Sequence, residues 1–377
     1  MGDSEGQTRR FERLESLDIL RGFDIFMLVA GHTLIFRLFK LGVFGDGTFS
    51  KTAIEQLGHC DWIGFTVWDM VMPLFVFMAG AAIPFALGKY ATPGVFYSRL
   101  LKRVALLWIL GMVVQGRLLA FDLHKLALYS NTLQAIAVGY AVTAVVFYHC
   151  RRNWMRLAVA LALLAVYWIG FACGGDFSRT GNFAEIIDCK VLGRWRDLVQ
   201  WSKDGTWKFN HYYSYTWVWS SLGFVLSAMA GAFAGAWLKG ERSAKRAWTL
   251  VAAGAVALGA AWGGSCWMPI IKKIWTPTMA VWAAGWSAIL LGLVYWVVDI
   301  KGWRKGLGWL KIYGMNSIFA YVVAHVVSFR SVVYSFTFGL EQYMSKGWFD
   351  YLMRFGNIAI VFALLYWLYR NRRFIRV

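Results

Sequence analysis

Ten times between residues 19 and 369 the sequence runs for about twenty mostly apolar residues and then breaks on charge. That pattern leaves few folds open. In lipid every backbone amide and carbonyl must be bonded internally, so a spanning chain is helical or closes into a barrel. Barrel strands alternate in polarity over about ten residues. These runs are continuous, and only 16% of the chain is charged, against about a quarter in a soluble domain. The expectation is an all-α polytopic transmembrane bundle of ten spans: 19–39, 65–88, 100–119, 131–149, 156–172, 214–238, 246–264, 277–298, 308–328 and 350–369. The stretch 329–349 is broken by Arg330, Glu341 and Lys346, and reads as a surface or re-entrant segment or an eleventh span. Residues 1–377 form one domain, with a cytoplasmic tail at 1–18 and two long outer loops at 40–64 and 173–213.

The net charge of +19 would suggest nucleic acid in a soluble protein. Here membrane topology accounts for it. Arg9, Arg10, Arg13, Lys89, Arg99, Lys102, Arg103, Arg151, Arg152, Arg242, Lys245, Arg304, Arg370 and Arg372 all fall in segments on the tail's side. The other side is poorer, with Lys51, Arg117, Lys125, Lys272 and Lys273. Basic residues gather in cytoplasmic segments, so both termini are expected inside. The five cysteines have no metal spacing, and one outer disulfide stays open. No cleavable signal and no internal repeat are visible, and the latter weighs against a repeat-built transporter.

Polar groups inside apolar runs are costly and are read first as functional. The stretch "HCDWIGFTVWDMVMPLFVF" at 59–77 opens on His59 at the outer mouth of the second span. Asp61 and Asp69 are both near enough in sequence to orient its ring as a general base. Trp62, Thr66 and Asp69 are spaced for one helical face, and Pro73 then interrupts the helix. His32 lies fourteen residues past Asp18, roughly 21 Å along a helix and beyond the middle of a core about 30 Å thick. Asp24 needs a partner, either Arg21 or the basic cluster at 99–103. Ser16 or Asp18 is placed to cap the first helix. "PIIKKIWTPT" at 269–278 reads as an outer interface anchor, and Asn316 and Ser317 sit in the inner half of the ninth span.

Together these segments resemble the heparan-α-glucosaminide N-acetyltransferase family and its bacterial relatives. The family's opening motif is matched by Ser16-Leu17-Asp18-Ile19-Leu20-Arg21-Gly22, and its histidine block by His59, Trp62, Gly64, Thr66, Asp69, Val71, Pro73, Phe75 and Phe77. Leu133–Ala137, then Lys273-Ile274-Trp275-Thr276-Pro277-Thr278, then Gly314, Asn316, Ser317, Ile318, Tyr321 and Val322 follow in order. His32 departs from the pattern, since the lysosomal enzyme has an asparagine there.

The resemblance implies a transmembrane acetyltransferase with acetyl-CoA as cytosolic donor, a glycan or small-molecule acceptor on the far side, and a homodimer. His59 matches the catalytic histidine. Asp69 or Asp61 would hold its tautomer, and His32 or Asn316 would bond the developing oxyanion. Arg21, Lys102 and Arg103 lie on the basic face that a phosphate-rich donor would meet, with Asn316 and Ser317 further in. Trp62, Thr66, Lys273 and Trp275 fall on the acceptor side. Base catalysis in a ternary complex and an acetyl-histidine intermediate both remain open. So do O-acetylation of an envelope glycan and a transporter or flippase using His32, Asp24 and Asp69 as a proton relay. The short tail favours a bacterial inner membrane with the outer loops in the periplasm.

Overall fold

The computed structural model describes residues 14–88, 90, 92–210 and 215–374. It is helical almost throughout, and the described strands are a two-residue hairpin pairing Gln200–Trp201 with Trp207–Lys208. Among the described residues, eight helices are long and apolar enough to cross a membrane: Glu15–Lys40, Trp68–Leu87, Thr132–His149, Asn153–Cys173, Ser221–Leu238, Ala244–Gly264, Pro277–Ile300 and Lys346–Arg370. A ninth arises if the pair Ser317–Val326 and Arg330–Tyr343, bent by 67°, is one span.

Two of the ten expected spans therefore differ. The run at 100–119 does form a helix, Pro93–Val114, but Arg99, Lys102 and Arg103 dilute its apolar character. The run at 308–328 is broken at Asn316, which separates Gly308–Met315 from Ser317–Val326. The segment 329–349 turns off sharply as Arg330–Thr337 and a short 3-10 helix, with Phe336 and Tyr343 largely exposed.

Helix ends collect on two faces. Glu15 and Asp18 share a cavity of about 470 Å³ with Lys311, Arg370, Arg372 and Phe374, so the two described ends of the chain meet on one face, the tail face. His59, Asp69 and Lys272 meet on the opposite loop face. The first helix starts without a side-chain cap from Ser16 or Asp18. Asp299, at the end of Pro277–Ile300, supplies it instead: its carboxylate accepts from the amides of Glu15 at 3.2 Å and Ser16 at 3.1 Å. An acceptor with negative charge suits the positive end of a helix.

Between helices, backbone meets backbone. A Cβ on Gly80 would lie 1.9 Å from the Ala228 carbonyl oxygen, and one on Gly231 equally close to that of Phe77. Small residues are what allow helices to approach this closely in lipid, where packing rather than hydrophobicity holds them together. The contact fixes Trp68–Leu87 against Ser221–Leu238, the two helices that frame the candidate site.

Candidate active site

The second expected span begins later than its hydropathy suggests. Residues 57–67 are not helical, and the helix starts at Trp68. Gly64 takes φ +123°, a backbone conformation open to glycine, and its amide donates to the Ile270 carbonyl at 2.9 Å. This strand-like bridge between Gly64 and Ile271 pins the 59–67 loop to the 269–276 loop. Trp62, Thr66 and Asp69 consequently do not share a helical face. Asp69 sits in the first turn of the helix, and Pro73, four residues on, has no amide to bond its carbonyl.

The bridge brings three ionisable side chains together. His59 Nδ1 lies 2.7 Å from Asp69 Oδ1, and Lys272 Nζ lies 3.2 Å from the same oxygen and 3.2 Å from Nδ1. Asp69 Oδ2 accepts from the amides of Cys60 at 3.1 Å and Thr66 at 3.2 Å. The Thr66 hydroxyl lies 2.7 Å from the Gly58 carbonyl and 3.0 Å from Oδ2. Asp69 is 1% exposed, so its charge is tolerable only with this set of partners. Burial lowers the Lys272 ammonium below its ordinary value, while the Asp69 carboxylate pulls the other way. A carboxylate can only accept. The 2.7 Å contact therefore calls for a proton on Nδ1 in the neutral ring, so Lys272 donates to Asp69 Oδ1 and not to Nδ1, and the Nε2 lone pair stays free.

His59 lines a cavity of about 240 Å³ together with Lys272, Lys273, Trp68 and Tyr215. Its deeper wall is part aromatic, with Trp217, Phe224 and Trp275, and part polar, with Gln115, Ser130 and Thr132. Trp275 is held in the left-handed region at φ +51°, its indole donating to Ser227 Oγ at 3.3 Å. Burial, then the Asp69 carboxylate, push the Tyr215 phenol up to about 12. A cavity with a few convergent polar groups and an ionisable cluster is the ordinary form of a small-molecule site.

Of the residues singled out in the sequence, His59, Lys273 and Trp275 line this cavity, and Asp69 stands directly behind His59. Asp61 points away: its carboxylate is 89% exposed and pairs with Arg179 at 2.7 Å, which holds it below the usual carboxylate range. Its carbonyl accepts from Lys273 Nζ at 2.7 Å. Trp62 donates to the Phe177 carbonyl at 2.7 Å, so these neighbours tie the histidine loop to the 173–213 loop. His32 follows a π turn at Met27–Gly31 and packs against Trp68, centroids 4.1 Å apart and the rings tilted by 31°, with Trp68 in turn 6.2 Å from His59. Trp68 thus stands between the two histidines.

The remaining candidates lie elsewhere. Arg21 is 3.9 Å from Asp18 near the tail-face cavity, and Asp24 is buried within reach of the Arg21 charge. Arg103 packs over the Tyr140 ring at 3.9 Å, while Lys102 is exposed. Asn316 is fully buried and bonds the Arg373 carbonyl at 3.5 Å, with Ser317 opening the next helix segment. Sequence reasoning placed Lys273 in the site and left Lys272 as an anchor. Both lysines line the cavity, but only Lys272 carries its Nζ to Asp69 and His59, a placement set by the Gly64–Ile271 bridge and the turn at 272–275. Tyr215 and Trp217 belong to the aromatic string "WKFNHYYSYTW" at 207–217, which marks the segment but not the individual residues, and Gln115 gave no local signal.

Fold and site define a polytopic helical membrane protein with a histidine–aspartate–lysine cluster at the mouth of an internal cavity. No protein-family model matches the chain. Among curated proteins the chain is 24% identical, over 382 aligned positions, to the human heparan-alpha-glucosaminide N-acetyltransferase. The match covers 85% of this chain and 54% of that protein, so the chain spans about half the length of the curated relative it matches.

Proposed function

We propose that the protein is a transmembrane acetyltransferase, carrying an acetyl group from cytosolic acetyl-CoA to the amine of an amino sugar on the loop face. The observation that carries this reading is His59, held through Nδ1 by the buried Asp69 with Nε2 left free beside a cavity, in a chain similar to an N-acetyltransferase. On this reading both ends of the chain are cytoplasmic and the membrane is a bacterial inner membrane. The richly basic tail face suits a donor that carries several phosphates, and Lys311, Arg370 and Arg372 stand around its cavity.

In the transfer, His59 Nε2 takes the proton of the acceptor amine as the nitrogen attacks the thioester carbonyl. The C–N bond forms, the C–S bond breaks, and the proton on Nε2 passes to the departing thiolate. Asp69 keeps the ring in the tautomer this needs and supports the imidazolium while it lasts. The Lys272 ammonium stands beside the developing oxyanion. A base so placed is worth roughly 10²–10⁴ in rate. Purified protein given acetyl-CoA and glucosamine tests the reading by following free thiol. Release that depends on both the sugar and His59 supports it; no thiol with any amino or hydroxyl sugar sinks it.

A further inference from the structure

The outer loop 173–213 holds a second buried ionic cluster, away from the His59 cavity. On the helix Phe183–Leu192, Glu185 is 5% exposed and Asp188 is fully buried. The chain then returns with Arg196, 2% exposed, and Asp197, 8% exposed, so among the described residues three carboxylates gather near the Arg196 guanidinium. Arg196 is spoken for by Glu185 at 2.5 Å. Asp188 instead grips backbone: its two oxygens accept from the amides of Trp217 at 2.7 Å and Val218 at 2.9 Å. Asp197 accepts from the Trp217 indole at 3.3 Å.

The gripped segment is a wall of the cavity. Tyr215, Thr216 and Trp217 all line it. The segment is also stitched to the lysine loop, because the Thr216 amide donates to the Lys273 carbonyl at 3.2 Å and Ser220 Oγ donates to the Ile274 carbonyl at 3.0 Å. One carboxylate thus fixes the wall that faces His59 and, through it, the backbone that carries Lys272.

We infer that Asp188 is a positioning residue for the acceptor, holding the 215–218 wall in its binding shape and releasing it when protonated. The inference rests on the acetyltransferase reading for its substrate but not for its geometry. An ionised carboxylate accepts from both amides; a protonated one turns one oxygen into a donor and loses an amide. Around Asp188 stand Glu185 and Cys189 on its own helix, Arg196 and Asp197 on the returning segment, Tyr129 before the Thr132–His149 helix and Tyr167 on Asn153–Cys173. Burial, supported by the Asp197 charge and opposed by the two amides and Arg196, pushes the Asp188 carboxyl up to about 7. The grip is therefore half lost near neutral pH, nearly complete a unit above and mostly gone a unit below.

The test compares wild type with Asp188→Asn and Asp188→Glu in two measurements. The first is hydrogen exchange, which needs no activity. The amides of Trp217 and Val218 should exchange at least tenfold faster in Asp188→Asn, while 221–238 stays protected and so reports an intact fold. Unchanged protection at 217 and 218 overturns the proposal. The second is KM for the acceptor against pH. In wild type it should rise several-fold from pH 8 to pH 6 with kcat moving separately. In Asp188→Asn it should stay at the high value throughout, and Asp188→Glu should recover part of the slope. A KM slope that persists unchanged in Asp188→Asn overturns the proposal. If wild type transfers nothing, the acetyltransferase reading fails, and the exchange measurement still decides the grip.

Discussion

Lys272 and His59 both reach Asp69 Oδ1, the ammonium at 3.2 Å and the imidazole at 2.7 Å, although 213 residues separate them in sequence. One buried oxygen therefore holds an ion pair and, on the proposed mechanism, also orients the His59 ring, and mutation can separate the two.

Asp69→Asn strips the counter-charge from a lysine that is 7% exposed. Breaking a buried pair on one side costs about 3–5 kcal/mol. Transfer should fall by about 10²–10⁴ as the ring loses its fixed tautomer. The double variant Asp69→Asn with Lys272→Met removes both charges, so thermal unfolding should show most of the stability regained. Turnover should stay low. Stability that does not recover would mean that the pair is not the structural element proposed.

The two lysines should separate cleanly. Lys272→Met should cost far more turnover than Lys273→Met, because Lys272 Nζ contacts both Asp69 and His59, whereas Lys273, though it also lines the cavity, spends its ammonium on the Asp61 carbonyl. Steady-state kinetics of both variants decides; equal losses would place the oxyanion partner elsewhere.

Gly80→Val should prevent the Trp68–Leu87 and Ser221–Leu238 helices from meeting, since even its Cβ would lie 1.9 Å from the Ala228 carbonyl oxygen. Overpacking of this kind costs about 1–3 kcal/mol or more. The yield of monodisperse protein after purification reads it directly.

A carboxyl held at about 7 in the fold, against 3.8 ordinarily, keeps its proton longer when folded. The stability that this contributes is full below the ordinary value and is lost as pH rises through about 7. The melting temperature of wild type should therefore fall more between pH 4 and 7 than that of Asp188→Asn. Parallel curves would contradict the burial of Asp188.

Much of this could be read from the chain alone. Long apolar runs gave eight of the spans because hydropathy over about 20 residues is a local property. The His59–Asp69 pair was legible for the same reason, since ten residues of short loop leave little freedom. What escaped was non-local. Helix onset at Trp68 depends on Gly64 pairing with a loop two hundred residues away. The cap of the first helix comes from Asp299, and the cavity wall at Tyr215–Trp217 is set by Asp188 and Lys273. Asp61 looked as good as Asp69 from spacing, and only the position of Arg179 turns it outward.

The central claim is that a neutral His59, fixed by Asp69, takes the acceptor's proton. The most direct measurement is acetyl transfer from labelled acetyl-CoA to glucosamine by wild type and His59→Ala, both confirmed folded by thermal unfolding. The account predicts CoA release only with the sugar present, and a fall of about 10²-fold or more in His59→Ala. Transfer by folded His59→Ala at a rate near wild type would contradict it.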